Sequence, residues 1–350
     1  MIDLENYMVQ GEPEQKERGY IWHTAIGLQQ TDGLKTSDYL ITTANRNING
    51  DITLEEAREL IDDYYKTKPV QSDDETRMEE ADKVSARVSQ ILAEKTFSFS
   101  PIEYITIHRR LFEGIYAFAG KIRDYNISKS EWVLNGETVY YAGARSIRDT
   151  LQYDFKQEGE FSYKGLSMEE VAKHIANFVS GLWQIHVFGE GNTRTTAVFT
   201  IKYLRTFGFD VTNDIFAKNA WYFRNALVRA NYNNLKLGIH ATQEYLDCFF
   251  ANLLLGENNV LSNRNLHVNA PSKNKKSVPI NVPINVPIKI STTMHKVLSI
   301  LKENPNTTAV QIAKQIGVTD KTVKRALGVL KNGGLIERVG SNKTGHWVIN

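Results

Sequence analysis

A run of ten residues, His186-Val187-Phe188-Gly189-Glu190-Gly191-Asn192-Thr193-Arg194-Thr195, places a base, an acid, two glycines and a cation in one short stretch. Phosphoryl or nucleotidyl transfer needs that set of parts. Before the run, Val171, Ile175, Phe178, Val179, Leu182 and Trp183 recur at helical spacing, predicting a helix over 168–185. A second helix follows over 193–207. Its first N–H groups lack intrahelical partners and carry the positive end of its dipole, so the loop is a natural anion site. Gly189 and Gly191 let the backbone approach a phosphate closely. Arg194, on the first turn, can add a cation for phosphate oxygens. Glu190 can hold magnesium, which takes carboxylate and phosphate oxygens together. His186 can accept the proton of an attacking hydroxyl. Each residue also has an ordinary role. A histidine can simply cap a helix end, Glu190 can be a solvated charge, Gly-Asn a turn, and Arg194 an ion-pair partner. Their joint occurrence favours the chemistry.

The elements that must position this loop are mainly helical. At 350 residues the chain exceeds a typical single domain, and at 41% hydrophobic it can bury a sizeable core. A helix is predicted over 52–66, with Thr53 as N-cap and Glu56 at the capping-box position. Helical spacing recurs over 81–94, 101–117, 219–237 and 242–255. Residues 132–141 instead place Asn135-Gly136 between β-formers, which predicts a β-hairpin on a type I′ turn. Such a hairpin is either a lid packed on the helices or a flap whose free edge pairs with an extended target.

Residues 256–290 read as a linker containing the repeats Val278-Pro279-Ile280-Asn281 and Val282-Pro283-Ile284-Asn285. Proline at every fourth position excludes helix. Beyond it, three short helices over 294–302, 309–316 and 321–330 precede two strands over 335–339 and 346–349. That order resembles a winged helix-turn-helix domain, covering 291–350. The net charge of +2 hides an asymmetry: residues 256–350 carry 14 Lys or Arg against 4 Asp or Glu. Lys321, Lys324 and Arg325 on the third helix and Lys343 in the wing are the DNA-binding candidates. Docking of another protein is the alternative use of such a domain.

Cys248 is the only cysteine, which excludes an intrachain disulfide and suggests a reducing compartment. The first residues lack the pattern of a signal peptide and no apolar run is long enough for a membrane span, so a cytoplasmic protein is expected. His23, His108, His174 and His240 show no metal-ligand spacing.

The ten-residue run resembles the signature of the Fic (Fido) family, H-P-F-x-[DE]-G-N-G-R-x-x-R. Phe118-Ala119-Gly120-Lys121-Ile122-Arg123 and the Asn-Gly hairpin are similar to the segment and flap that precede that motif. The resemblance spans about 82–255. It implies a mainly α fold: a helical core with a β-hairpin flap, beside the small α+β winged-helix domain. It also implies transfer of AMP from ATP, with magnesium, to a Ser, Thr or Tyr hydroxyl of a target protein or of the chain itself, releasing pyrophosphate. His186, Asn192 and Arg194 would be catalytic. Gly189, Gly191, Asn192, Thr193 and Arg194 would bind nucleotide, and Glu190 the metal. Trp132, Val133, Leu134, Asn135 and Gly136 of the flap would bind the target. Three positions depart from the pattern: Val187 for Pro, Thr193 for the second Gly, and Ala197 for the final Arg. The N-terminal helices are similar to the inhibitory module of some relatives, whose [ST]-x-x-x-E-[GN] helix falls here on Asn45, Asn49 and Gly50. With Asn49 neutral and Ala197 apolar, the usual inhibitory ion pair is missing, which implies weak autoinhibition or inhibition by another route. The implied domains are a regulatory module over 1–80, the core over 81–255, the linker over 256–290 and the winged helix over 291–350. Two other functions stay open: a transcription regulator whose degenerate core senses nucleotide, and an enzyme using another donor such as UTP or GTP. Homo-oligomerisation also stays open.

Overall fold

The computed structural model describes residues 11–68, 72–209, 211, 214–270, 292–332, 336–339 and 346–349. The chain divides into two compact units, Met1–Ser272 and Lys273–Asn350.

The first unit is helical. Helix α1 (Pro13–Gly27) runs into a 3-10 turn (Leu28–Asp32), and α2 (Asp38–Asn49) and α3 (Leu54–Thr67) follow. Thr53 caps α3 through a capping box with Glu56, as its sequence predicts. Trp22, Leu40, Ala44, Ile48, Ala57, Ile61 and Tyr65 form a small apolar cluster among these helices. Helix α4 (Asp73–Ala93) carries Val84, Val88 and Ile91 into a larger core. That core also takes α5 (Pro101–Phe112), α6 (Ile147–Glu160), α7 (Met168–Ile185), α8 (Asn192–Thr206), α9 (Ile215–Ala230), α10 (Glu244–Leu255) and Leu266 of α11 (Asn263–Leu266). Helix α5 stops at Phe112, short of the predicted 117, because the chain turns through Gly114 at φ 74°. Helix α9 breaks its geometry at Asn219 and ends at Ala230 rather than 237.

The predicted β-hairpin over 132–141 is corrected in its strands but not in its turn. Asn135 (φ 57°, ψ 36°) and Gly136 (φ 91°) both take positive φ, as a type I′ turn requires. The flanking residues form a 3-10 turn (Trp132–Leu134) instead of a strand. Val133 and Leu134 are consecutive and both buried in the main core, whereas a strand would send them to opposite faces. The N–H groups of Leu134, Asn135, Gly136 and Glu137 are all used inside the turn.

In the second unit, α12 (Thr292–Glu303), α13 (Ala309–Ile316) and α14 (Asp320–Asn332) pack with an antiparallel hairpin of β1 (Ile336–Val339) and β2 (His346–Ile349). The register pairs Ile336 with Ile349 and Val339 with His346. Thr308 caps α13 in a capping box with Gln311, and Val297, Leu301, Ile312, Val323, Leu327 and Leu330 fill the core. This is the three-helix-and-wing order read from the sequence. Among the described residues it holds the only β-sheet. The Val-Pro-Ile-Asn repeats, at 278–288, lie outside the described residues.

Candidate active site at the turn between α7 and α8

Helix α7 begins on a capping box, Ser167 with Glu170, and ends at His186, which adopts a left-handed conformation (φ 51°, ψ 61°). A β-carbon makes that conformation unfavourable by about 1–2 kcal/mol. Arg123 helps hold it. Its Nε donates to His186 O at 2.7 Å, its Nη1 to Tyr125 O at 2.6 Å and its Nη2 to Ala142 O at 2.5 Å, while its backbone N–H donates to Val187 O at 3.0 Å. One buried guanidinium therefore ties the end of α7 to both ends of the flap. Burial pushes this arginine below its usual range.

The loop is pinned from three more directions. Asn192 accepts from Phe188 N–H through Oδ1 (2.9 Å) and donates to Phe188 O through Nδ2 (2.7 Å), closing the turn on itself. Phe188 is buried with its ring stacked on His108 at 3.6 Å. His108 Nδ1 accepts the Gly120 N–H at 2.9 Å, so Nε2 carries the proton and donates to Glu190 O at 3.0 Å. Burial holds His108 down to about 4, so it stays neutral. Gly191 has φ 77°, and a Cβ there would lie 2.4 Å from the Phe112 ring, so the second glycine is required both by conformation and by space.

Helix α8 starts at Asn192. The first bond of its opening turn runs from Thr195 N–H to Gly191 O at 3.0 Å, which leaves the N–H groups of Asn192, Thr193 and Arg194 at its positive end without intrahelical acceptors. Thr193 turns its hydroxyl inward to accept from Trp183 Nε1 at 3.0 Å. Ala197 is fully buried in the main core.

His186 is 5% exposed, and its Nδ1 is fully buried. Burial, then the charges of Lys129, Arg123 and Arg224, hold it well below the usual histidine range. It is therefore neutral at pH 7 and able to take a proton. Tyr141 packs against it, with ring centroids 4.1 Å apart. The Tyr141 hydroxyl donates to Glu131 Oε1 at 3.2 Å, and Glu131 is paired with Arg224 at 2.9 Å. The imidazole thus rests on a flap residue that a buried ion pair fixes to α9.

Arg194 is 1% exposed on its side chain and fully committed. Nε lies 2.8 Å from Asp32 Oδ2 and Nη2 2.6 Å from Glu80 Oε1; Nη1 donates to Gln29 Oε1 at 3.1 Å, over the Phe112 ring. The sequence reading expects a free cation at the anion site, and the structure places it in an ion-pair cluster with the 3-10 turn and α4. Glu190 is half-exposed and paired with Lys129, whose Nζ also donates to Gly189 O at 3.3 Å. Glu190 is the one acid within the 186–195 run; among the described residues no group of three His, Cys, Asp or Glu is arranged to hold a metal. One carboxylate fits magnesium, which takes most of its ligands from water and phosphate, and does not fit zinc. Beside Lys129 opens a cavity of about 670 Å³ lined by Ser130, Thr138, Tyr140, Tyr232 and Asn233, among others.

The remaining sequence candidates divide. In the flap, Trp132, Asn135 and Gly136 are exposed, while Val133 and Leu134 are buried. Asn45 is buried in α2, donating to Ile41 O at 2.7 Å, and Asn49 and Gly50 are exposed at its C-terminus. The acids that reach the motif come instead from Asp32 and Glu80. In the second unit, Lys324 is exposed on α14 and paired with Asp320 at 2.7 Å. Lys321 and Arg325 lie on α14 with side chains outside the described residues, as Lys343 is altogether. Sequence reasoning missed Lys129, His108, Glu131, Tyr141, Asp32 and Glu80 as parts of the site. Only Arg123 had a local signal, through the 118–123 segment.

Comparison with known proteins agrees with these two regions. Residues 98–204 match the Fic/DOC family, and residues 290–337 match a winged helix-turn-helix DNA-binding family. Protein adenylyltransferase VbhT of Bartonella schoenbuchensis is 28% identical over 108 residues, covering 31% of this chain and 21% of that protein. Probable protein adenylyltransferase y4lH of Sinorhizobium fredii is 28% identical over 127 residues, covering 36% of this chain and 62% of that protein. The chain thus spans less than two thirds of either relative. Among solved structures, the N-terminal FIC domain of Bep8 from Bartonella sp. 1-1C aligns over 53% of this chain and 87% of its own, at 18% identity and TM-score 0.42. A Fic family protein from Desulfovibrio desulfuricans aligns over 99% and 92%, at 12% identity and TM-score 0.42. No helix among the described residues is long and apolar enough to cross a membrane.

Proposed function

We propose, on the premise that residues 98–204 are a Fic/DOC domain and residues 290–337 a winged helix-turn-helix, that this protein is an adenylyltransferase acting on protein hydroxyls. The observation that carries the reading is a neutral, buried His186 four residues before Glu190 and next to the open N–H groups of α8. His186 takes the proton of a Ser, Thr or Tyr hydroxyl. The oxygen attacks the α-phosphorus of ATP, the bond to the bridging oxygen breaks, and pyrophosphate leaves. Gly189, Gly191, Asn192 and Thr193 offer their backbone N–H groups to the charge developing on the phosphoryl oxygens, and the side chain of Asn192 keeps that loop in shape. Glu190 would hold a magnesium ion, which neutralises phosphate charge when bound. The cavity beside Lys129 has the size and the aromatic and amide lining to take a nucleoside. In this arrangement Arg194 acts through its ion pairs, anchoring the start of α8, and contacts an outer phosphate only by exchanging a carboxylate for it.

The winged helix would bring DNA, or a protein partner, to the same chain. One observation favours the second reading, a regulator that binds nucleotide without transfer: Arg194 is sequestered and position 197 is a buried alanine, so the outer phosphates meet no free arginine there. Incubation with ATP and magnesium, followed by intact-mass and peptide analysis, separates the two. A mass gain of one adenylyl group on a hydroxyl residue supports transfer. Bound nucleotide with no covalent product supports the regulator.

A further inference from the structure

The cations around the motif differ in how firmly they are held. Arg194 is 1% exposed between Asp32 and Glu80. Arg123 is spent on backbone carbonyls, and Arg224 on Glu131, which is 1% exposed. Lys129 is different. Its ammonium pairs with Glu190, whose side chain is 54% exposed, and with the Gly189 carbonyl. An ion pair with so exposed a partner is weakly held and easily exchanged. Lys129 also lines the cavity of about 670 Å³, and of the described residues lining it, only Lys129 has a hydrogen bond to the His186–Thr195 loop. Its charge acts on His186 as well, as the largest influence after burial. One cation with an exposed, exchangeable partner therefore touches the loop, the cavity and the neighbourhood of the base.

We propose that Lys129 is the phosphate-binding cation of this site, Glu190 holding its ammonium until a nucleotide phosphate oxygen replaces the carboxylate. A lysine suits that exchange: its charge is compact and its stem flexible, whereas a buried arginine fork is fixed by its partners. Lys129 supplies the positive charge that position 197 lacks and that Arg194 spends elsewhere. The assignment rests on the proposed nucleotide-binding reading and adds to it a residue on the flap side of the loop.

The test is calorimetric binding of ATP and of adenosine to the full chain without magnesium, using wild type, Lys129→Met, Lys129→Arg, Glu190→Gln and the Lys129→Met/Glu190→Gln double variant. A charge-assisted hydrogen bond to phosphate predicts that Lys129→Met binds ATP about tenfold to a hundredfold more weakly while binding adenosine as wild type does. Lys129→Arg should recover most of the loss. The double variant should bind ATP at least about tenfold more weakly than Glu190→Gln, which removes simple repulsion by an unpaired Glu190 as the cause. Equal ATP affinity in Glu190→Gln and the double variant overturns the assignment, as does a loss of adenosine binding equal to the loss for ATP. Failure of wild type to bind either ligand overturns the nucleotide reading itself, and the assignment with it.

Discussion

Arg194→Met tests the ion-pair cluster that joins the N-terminal helices to the motif. The substitution keeps an unbranched apolar stem over the Phe112 ring and removes the charge between Asp32 and Glu80. Taking one partner from a buried pair costs about 3–5 kcal/mol. Here the acids keep 28% and 17% of their exposure, so water screens them and the expected cost falls to about 2–3 kcal/mol. At roughly 2–4 °C per kcal/mol, the thermal midpoint of the first unit should drop by about 4–12 °C. Differential scanning calorimetry on the full chain reads this directly. Adding Asp32→Asn and Glu80→Gln to Arg194→Met should recover at least half of the drop, because the like charges then disappear. A single variant melting within about 1 °C of wild type would refute the cluster as a source of stability. A triple variant no better than the single would refute the electrostatic cause.

Acid stability should depend on His108. Its folded value near 4 lies below the unfolded 6.5, so its contribution is complete above about pH 6.5 and is lost as the pH falls toward 4. That difference is worth about 3 kcal/mol, and urea melts of wild type and His108→Gln at pH 7 and pH 4.5 should show a smaller pH dependence in the variant. Gly191→Ala meets both φ 77° and a contact at 2.4 Å to Phe112, so it should lose at least about 2 kcal/mol in urea unfolding; near-neutrality would mean the loop is not held as described. Arg224→Met leaves Glu131 buried without its counter-charge, predicting a loss of about 3–5 kcal/mol together with slower transfer, since Tyr141 packs on His186. If stability falls but the transfer rate does not, the flap does not position the base.

How much of this was legible in the sequence varied with how local the cause is. Helix α7 runs over the bounds that its apolar spacing predicts, because periodicity is written within a few residues. The winged helix was legible for the same reason, through its order of three short helices followed by two strands. At the flap, the Asn-Gly turn was correct, but tertiary burial of Val133 and Leu134 together overrode the strand propensity beside it. The 147–160 helix and the helices before residue 50 passed undelineated. The motif residues were all visible as types, and the structure brings them together in the loop between α7 and α8. Their partners were not visible. Asp32 and Glu80 lie far upstream of Arg194, Lys129 meets Glu190 across about sixty residues, and no spacing rule connects them. Position 49 drew attention as the inhibitory counterpart, yet it is exposed, and the acids that reach the motif arrive from a 3-10 turn and a different helix.

In the proposed reaction His186, kept neutral by its surroundings, is the base for transfer of the adenylyl group of ATP. The most direct measurement uses ATP labelled at the α- or the γ-phosphate, with magnesium, on wild type and His186→Ala at matched folding. Label is expected on protein from the α-position only, reduced about 10²–10⁴-fold in the variant. Transfer at wild-type rate in His186→Ala, or label arriving from the γ-position, would contradict it.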